Sequence, residues 1–261
     1  MCLVVVALDA HPRYALVIAA NRDEFHSREA LPAHWGERPP FAGVLAGRDL
    51  VAGGTWLGIR RDGRWALLTN VREGRGRNDP AAPSRGLLVP AILNDRGTPA
   101  AALYAVMRNA DAYNGFNLLA GNAGSAAWAS NRSKETLAIT AGVHGLSNAL
   151  LDTPWPKLAR TRTKLAEWAA HDDGDLTPVF AALSDRSRPP DEALPSTGVP
   201  IEWERLLSAP FIVSEDYGTR CSTVLVVERG GNARFIERTF DRYGVQTGQV
   251  DVAFDVAPPP N

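Results

Sequence analysis

Cysteine is scarce in this sequence: two residues, Cys2 and Cys221, stand among 261. Two cysteines so far apart support neither a disulfide framework nor a thiolate zinc site, and no metal is expected. They fit a reducing compartment. An excess of charge of one sign is also missing. Lysine and arginine total 28 against 29 aspartate and glutamate, a formal net charge of −1, so neither nucleic acid nor an anionic membrane is the expected partner. Charges and prolines interrupt every apolar stretch before the roughly 18 residues that a membrane span requires. The apolar opening Met-Cys-Leu-Val-Val-Val-Ala-Leu has no basic leader and is broken at once by Asp9, His11, Pro12 and Arg13, which argues against a secretory signal. A cytoplasmic protein is expected. Lysine is nearly absent, 3 residues against 25 arginines, a ratio that GC-rich coding explains without any anion binding.

What is present points to short strands separated by turns. Hydrophobic residues make up 45%, with 23 glycines and 19 prolines. Leu3 to Leu8 and Tyr14 to Ala20 read as a buried hairpin, and Asp62-Gly63 is the residue pair that a tight hairpin turn demands between Thr55–Arg60 and Trp65–Val71. Ser84 and Thr98 are candidate caps for helices near 85–94 and 99–109, the second with Pro99 in its first turn. Strand-like runs return at 116–120, 126–130 and 136–140. Leu158, Leu165 and Trp168 then mark one face of an amphipathic helix over 157–170, and a further helix is expected near 177–184. Ser222–Glu228 and Ala233–Phe240 form a last hairpin. Residues 26–50 and 186–200 read as long loops and 258–261 as a frayed tail. The order of strands, helices, strands, helices and strands indicates an α+β layered sandwich with antiparallel sheets, in a single domain over 1–261.

Cys2 is the most informative position. If the initiator methionine is removed, the residue carries a thiol and a free α-amine together. An amine titrating near ~8 takes the thiol proton, so one residue supplies nucleophile and base. The same logic runs in N-terminal threonine catalysts. Packing as a small apolar residue at a strand start is the alternative.

Met-Cys-Leu at the start, Asn21-Arg22-Asp23-Glu24, Gly53-Gly54-Thr55-Trp56-Leu57-Gly58, Leu68-Thr69-Asn70-Val71-Arg72 and Gly218-Thr219-Arg220 together resemble the NRDE family, also called the Transport and Golgi organization protein 2 family. The resemblance runs from residue 1 to about 245. It implies an N-terminal-nucleophile (Ntn) hydrolase-like fold, a four-layer αββα sandwich with two stacked antiparallel sheets. It also implies a role in haem trafficking. The layout is similar, more loosely, to N-terminal-cysteine amidases that cleave bile-salt and penicillin-type amides, in which Cys, Arg, Asp and two Asn line one pocket.

On that likeness Arg22 and Asp23 sit beside the Cys2 thiol and fix its charge and orientation, although four polar residues closing a buried strand equally make a structural network. Asn70 and Asn148 are candidate oxyanion donors, or turn formers. Arg220 is a candidate for a substrate carboxylate or a structural brace. Cys221 is expected in the core, with no activating base nearby. For haem, His11 in the first hairpin turn and His144 ahead of the Asn148 loop are the candidate ligands at a pocket mouth. Trp35, Trp56 and Trp155 lie in segments that line an apolar cleft roofed by 26–50, with Arg22 and Arg220 at its base. Two functions remain open: a Cys2 hydrolase acting on a small acyl amide or thioester, without a required cofactor, and a haem carrier on the same fold.

Overall fold

The first strand has no polar face, because Leu3–Leu8 is buried at every position. Such a strand needs cover on both sides, and the architecture supplies it. The computed structural model describes residues 3–74, 78–122, 124–133, 135–171 and 174–257. In the first sheet, β1 (Leu3–Leu8) lies between β2 (Tyr14–Phe25) and β10 (Gly142–Leu146). β11 (Tyr217–Glu228), β12 (Asn232–Phe240) and β13 (Gln246–Asp255) extend it beyond β2. The second sheet is a meander in sequence order. It comprises β3 (Ala30–Trp35), β4 (Val44–Asp49), β5 (Leu57–Arg60), β6 (Trp65–Asn70), β7 (Phe116–Gly121), β8 (Ala126–Ser130) and β9 (Thr136–Ile139). All strand pairs within the two sheets are antiparallel.

Alternation along the strands sorts the core into three layers. Val4, Val6, Leu16 and Ile18 face the other sheet and meet Leu57, Trp65 and Leu67. Leu3, Val5, Val17 and Ala19 face outward and are covered by α3 (Pro156–Ala169) and α4 (Thr177–Leu183). On the far side, Ala66, Leu68, Phe116 and Leu118 are covered by α1 (Leu88–Asn94) and α2 (Pro99–Met107). The result is the four-layer αββα sandwich. No described helix is long and apolar enough to cross a membrane.

Several expected boundaries are corrected. Residues 26–50 are no irregular excursion, since β3 and β4 lie within them. Their pattern was hidden because β3 is an edge strand with a bulge between Leu31 and His34, so its inward residues do not alternate. β10 and β13 were not foreseen, and β13 is an edge strand whose outward residues are polar. The helix near 85–94 begins as a 3-10 turn, Arg85–Leu87, capped by Ser84. Residues 186–200 carry a short 3-10 turn at Asp191–Ala193, and α5 (Ile201–Leu206) follows them. The tail at 258–261 lies outside the described residues.

Two contacts lock the layers together. Glu237 on β12 is buried between the sheets, where Oε1 accepts a hydrogen bond from the Ala33 N–H at 2.8 Å, satisfying the backbone at the β3 bulge. Burial pushes its carboxyl pKa up, against the lowering effect of that N–H, of Cys221 and Thr223, and of the Arg22 charge. Gly54 meets Gly86 backbone to backbone: a Cβ at Gly54 would lie 2.5 Å from the Gly86 carbonyl carbon, and the Thr55 N–H donates to Gly86 O at 3.0 Å. Gly54→Ala is therefore expected to destabilise by about 1–3 kcal/mol, as overpacking does. Gly230→Ala, with open space around its added methyl, is expected to stay within about 0.5 kcal/mol of the parent. Denaturant unfolding of both variants checks this, and equal stabilities would remove the claimed constraint.

Candidate functional site

β2 does not end before its polar motif but carries it, and the alternation of the strand sends the four side chains to different places. Asn21 points toward the helices. Its amide donates to Leu183 O and Pro210 O, each at 2.8 Å, while its own oxygen accepts from Ser222 Oγ at 2.6 Å. Arg22 points between the sheets, with its guanidinium 4.5 Å from the Trp56 ring centroid and Nη2 3.6 Å from Asp49 Oδ2. Asp23 returns to the outward face, where Oδ1 accepts from Thr219 Oγ1 at 2.6 Å. A bulge between Thr219 and Cys221 shifts the parity of β11 and brings that hydroxyl to meet it. Glu24 stands at the rim with Arg28, 3.8 Å away.

Arg22 heads a cleft of about 550 Å³ lined also by Glu24, Arg28, Asp49, Trp56, Asn70 and Arg85, with 78–86 as one wall. The cleft is polar and charged, which corrects the apolar one expected. Trp56 lines it; Trp35 instead packs on Phe254, and Trp155 lies under Arg72. Asp49 is the electrostatic centre. Burial raises its pKa, but hydrogen bonds from Arg28 and the Ala52 N–H, with the charges of Arg28 and Arg22, outweigh burial and hold the carboxyl below its ordinary value. The Arg28 Nε to Asp49 Oδ2 distance is 2.7 Å.

The remaining candidates separate. Asn70 lines the cleft at the end of β6. Asn148 comes close to it, donating from Nδ2 to Asn70 O at 2.8 Å, so it ties the ends of the two sheets together. Arg220 is not part of the cleft wall. Its Nη1 donates to the carbonyls of Phe25 and His26, each at 3.0 Å, and that of Arg28 at 3.3 Å, bracing the turn after β2. Burial, then the neighbouring Arg22 charge, lowers its pKa. His11 is not at a pocket mouth but buried against Tyr14 and Trp168, with Nδ1 accepting from the Arg13 and Tyr14 N–H groups. His144 is held at both nitrogens, by Asp152 Oδ2 at 2.9 Å and Thr140 O at 3.1 Å. Cys221 is buried, and burial followed by the Glu237 charge pushes its thiol pKa well up. Cys2 lies outside the described residues.

Sequence reasoning missed Arg28, Asp49 and Arg85, whose spacing gives no signal because three separate turns bring them to the cleft. It also missed the pair Arg72 Nη1 to Glu204 Oε2 at 2.7 Å, buried on both sides, which fixes α5 to the end of β6. Among the described residues no cluster of His, Cys, Asp and Glu could hold a metal ion.

This sandwich is shared by solved Ntn-type hydrolases. It superposes on a Caenorhabditis elegans N-acylethanolamine-hydrolyzing acid amidase ortholog with a TM-score of 0.51 and 13% identity, covering 86% of this chain and 92% of that one. A mutant conjugated bile acid hydrolase from Clostridium perfringens gives 0.50 and 11%, covering 98% and 92%. The fold is thus Ntn-hydrolase-like. The model of the family Transport and Golgi organisation 2 matches residues 1–242, and the chain belongs to that family. The Bos taurus Transport and Golgi organization protein 2 homolog is 35% identical and the Homo sapiens one 32%, each over 92% of this chain and 93% of the relative.

Asp49→Asn is expected to cost about 1–3 kcal/mol at pH 7 through lost charge-assisted hydrogen bonds. Because the folded carboxyl titrates below its unfolded value of about 3.9, its stabilisation is present above that pH and is lost as pH falls through the folded value. Urea unfolding at pH 7 and pH 3 should show the gap between parent and variant closing in acid; a constant gap would contradict the assignment.

Proposed function

We propose that this protein is a hydrolase of small acyl amides or thioesters in which Cys2, freed from Met1, is the nucleophile. The observation that carries this reading is the position of Arg22. The motif arginine is 4% exposed, stacked on Trp56 at the head of the cleft, and its Nη1 has no hydrogen-bond partner among the described residues. Leu3 pairs with Asn21 in register, so β1 begins at the Arg22 end of the strand pair.

On this reading the α-amine takes the thiol proton and the thiolate attacks the scissile carbonyl. The Asn70 side-chain amide donates to the oxyanion, a contribution of about 3 kcal/mol for a preorganised donor. Collapse breaks the bond to the leaving amine or thiol, which departs with the proton held by the ammonium. Water then hydrolyses the thioester and restores the thiol. Arg22 supplies the positive charge that favours thiolate. Asp23, on the opposite face, acts by fixing β2 to β11. The haem-carrier reading has less support, because the two nominated histidines are engaged elsewhere and a charged cleft offers a macrocycle little apolar wall.

The test compares parent and Cys2→Ala preparations of verified intact mass. A panel of acyl amides and acyl thioesters, a mild thiol electrophile and a haem titration are applied to both. Expected are Met1-free parent protein, labelling at Cys2 and not Cys221, and turnover lost at least 100-fold in the variant. Retained Met1 in active protein, or micromolar haem binding that survives the substitution with no turnover in either, would sink the hydrolase.

A further inference from the structure

Of the three described arginines in the cleft, two are committed to carboxylates. Arg28 holds Asp49 at 2.7 Å and Glu24 at 3.8 Å, and Arg22 shares Asp49 at 3.6 Å. Arg85 differs. It has no carboxylate within ion-pair distance among the described residues. Glu73, whose charge favours its own, is taken by Arg132 at 2.7 Å. A single bond from its Nη1 to Gly115 O at 2.8 Å fixes the guanidinium, and its Nε and Nη2 donate to no described residue. Burial works against its charge and lowers its pKa. The charges of Glu24 and Glu73 favour that of Arg85 from beyond ion-pair distance, and a partly buried guanidinium held at one corner, with no carboxylate in contact among the described residues, presents a fork that matches a carboxylate through two parallel N–H bonds.

Its place is also fixed relative to the proposed chemistry. Arg85 opens the 3-10 turn capped by Ser84, and the next residue is clamped to β5's approach: Gly86 O accepts from the Thr55 N–H, and Gly86 abuts Gly54. Thr55 precedes Trp56, on which Arg22 stacks. The path from Arg22 to Arg85 thus runs through one stacked ring and one backbone hydrogen bond. The cleft lining is mainly polar and includes Thr55, Asn70, Asn78, Ser84 and Asn114, with Leu68 among its apolar members.

We infer that the cleft binds a short acyl compound carrying a carboxylate at the end remote from its scissile carbonyl, and that Arg85 selects that carboxylate. This deepens the hydrolase reading by naming its substrate class. Glutaramate, a three-methylene chain with an amide at one end and a carboxylate at the other, is a suitable probe. Its uncharged counterpart is glutaramide. Calorimetric titration of both into the parent should give glutaramate an advantage of at least about tenfold, the size expected of a charge-assisted pair. Arg85→Met should reduce that advantage below twofold while leaving glutaramide binding unchanged. Arg85→Gln, which keeps a donor for Gly115 without the charge, gives the same result and serves if Arg85→Met does not fold. Equal binding of the two probes by the parent, or an advantage that survives both substitutions, overturns the inference. The same titrations on Cys2→Ala keep the two readings apart. Discrimination there, without Cys2-dependent turnover in the parent, upholds the carboxylate site and removes the hydrolase; turnover without discrimination does the reverse.

Discussion

Four consecutive polar side chains at the buried end of a strand are the constraint around which the site is arranged. A strand sends neighbours to opposite faces, so Asn21 and Asp23 must be satisfied among the helices and Arg22 between the sheets. An unmet buried polar group costs on the order of 1–3 kcal/mol. The fold meets the outward demand with two carbonyls, Leu183 O and Pro210 O, and two hydroxyls, Ser222 and Thr219. Those four partners come from α4, the segment after α5, and β11. The inward demand is met in part, by the Trp56 ring under the guanidinium and by Asp49 of the second sheet, while Nη1 has no hydrogen-bond partner among the described residues. Satisfying one tetrapeptide therefore draws in both sheets and the outer helical layer, and it leaves a charged guanidinium at the place where the sheets part.

The separation of Arg22 from Asp23 changes what each does. Here they face opposite sides of β2, and the electrostatic work around Arg22 falls to Asp49 and Arg28. Asp23 holds the β2–β11 seam through Thr219, and Asn148 likewise serves as a tie, from the end of β10 to the end of β6. The residues that shape the cleft are thus divided between those that line it and those that hold its walls at a fixed spacing.

The fold was legible where one rule dominated locally. The apolar run of β1, the Asp62-Gly63 turn, the Thr98 cap with Pro99 and the stripe Leu158, Leu165, Trp168 each located an element to within a residue or two. Legibility failed at edges. β3 and β13 have one neighbour each, so half of their surface obeys solvent rather than core, and the β3 bulge removes the remaining periodicity. In the site, Arg22 and Asn70 were readable because a contiguous motif or strand end announces them. Asp49, Arg28 and Arg85 were not, since their meeting depends on the turn of β3 to β4 and on the backbone approach of Gly54 to Gly86. His11 and His144 misled for a related reason: a turn position says nothing of which neighbours close over it.

Glu237 has a consequence for how folding couples to protons. Most carboxyls that matter in a native protein titrate lower there than in the unfolded chain, so folding releases protons in acid. Glu237 does the opposite, because the inter-sheet layer raises its pKa above the unfolded value of about 4.3. Between those two values the native chain holds a proton that the unfolded chain has lost, and stability from this residue falls as pH rises through that window. The inter-sheet layer therefore takes up a proton as the two sheets close on each other. Ionisation of this carboxyl at higher pH therefore works against the seam beneath β3, offset in part by the Ala33 N–H, the Thr223 hydroxyl and the Arg22 charge.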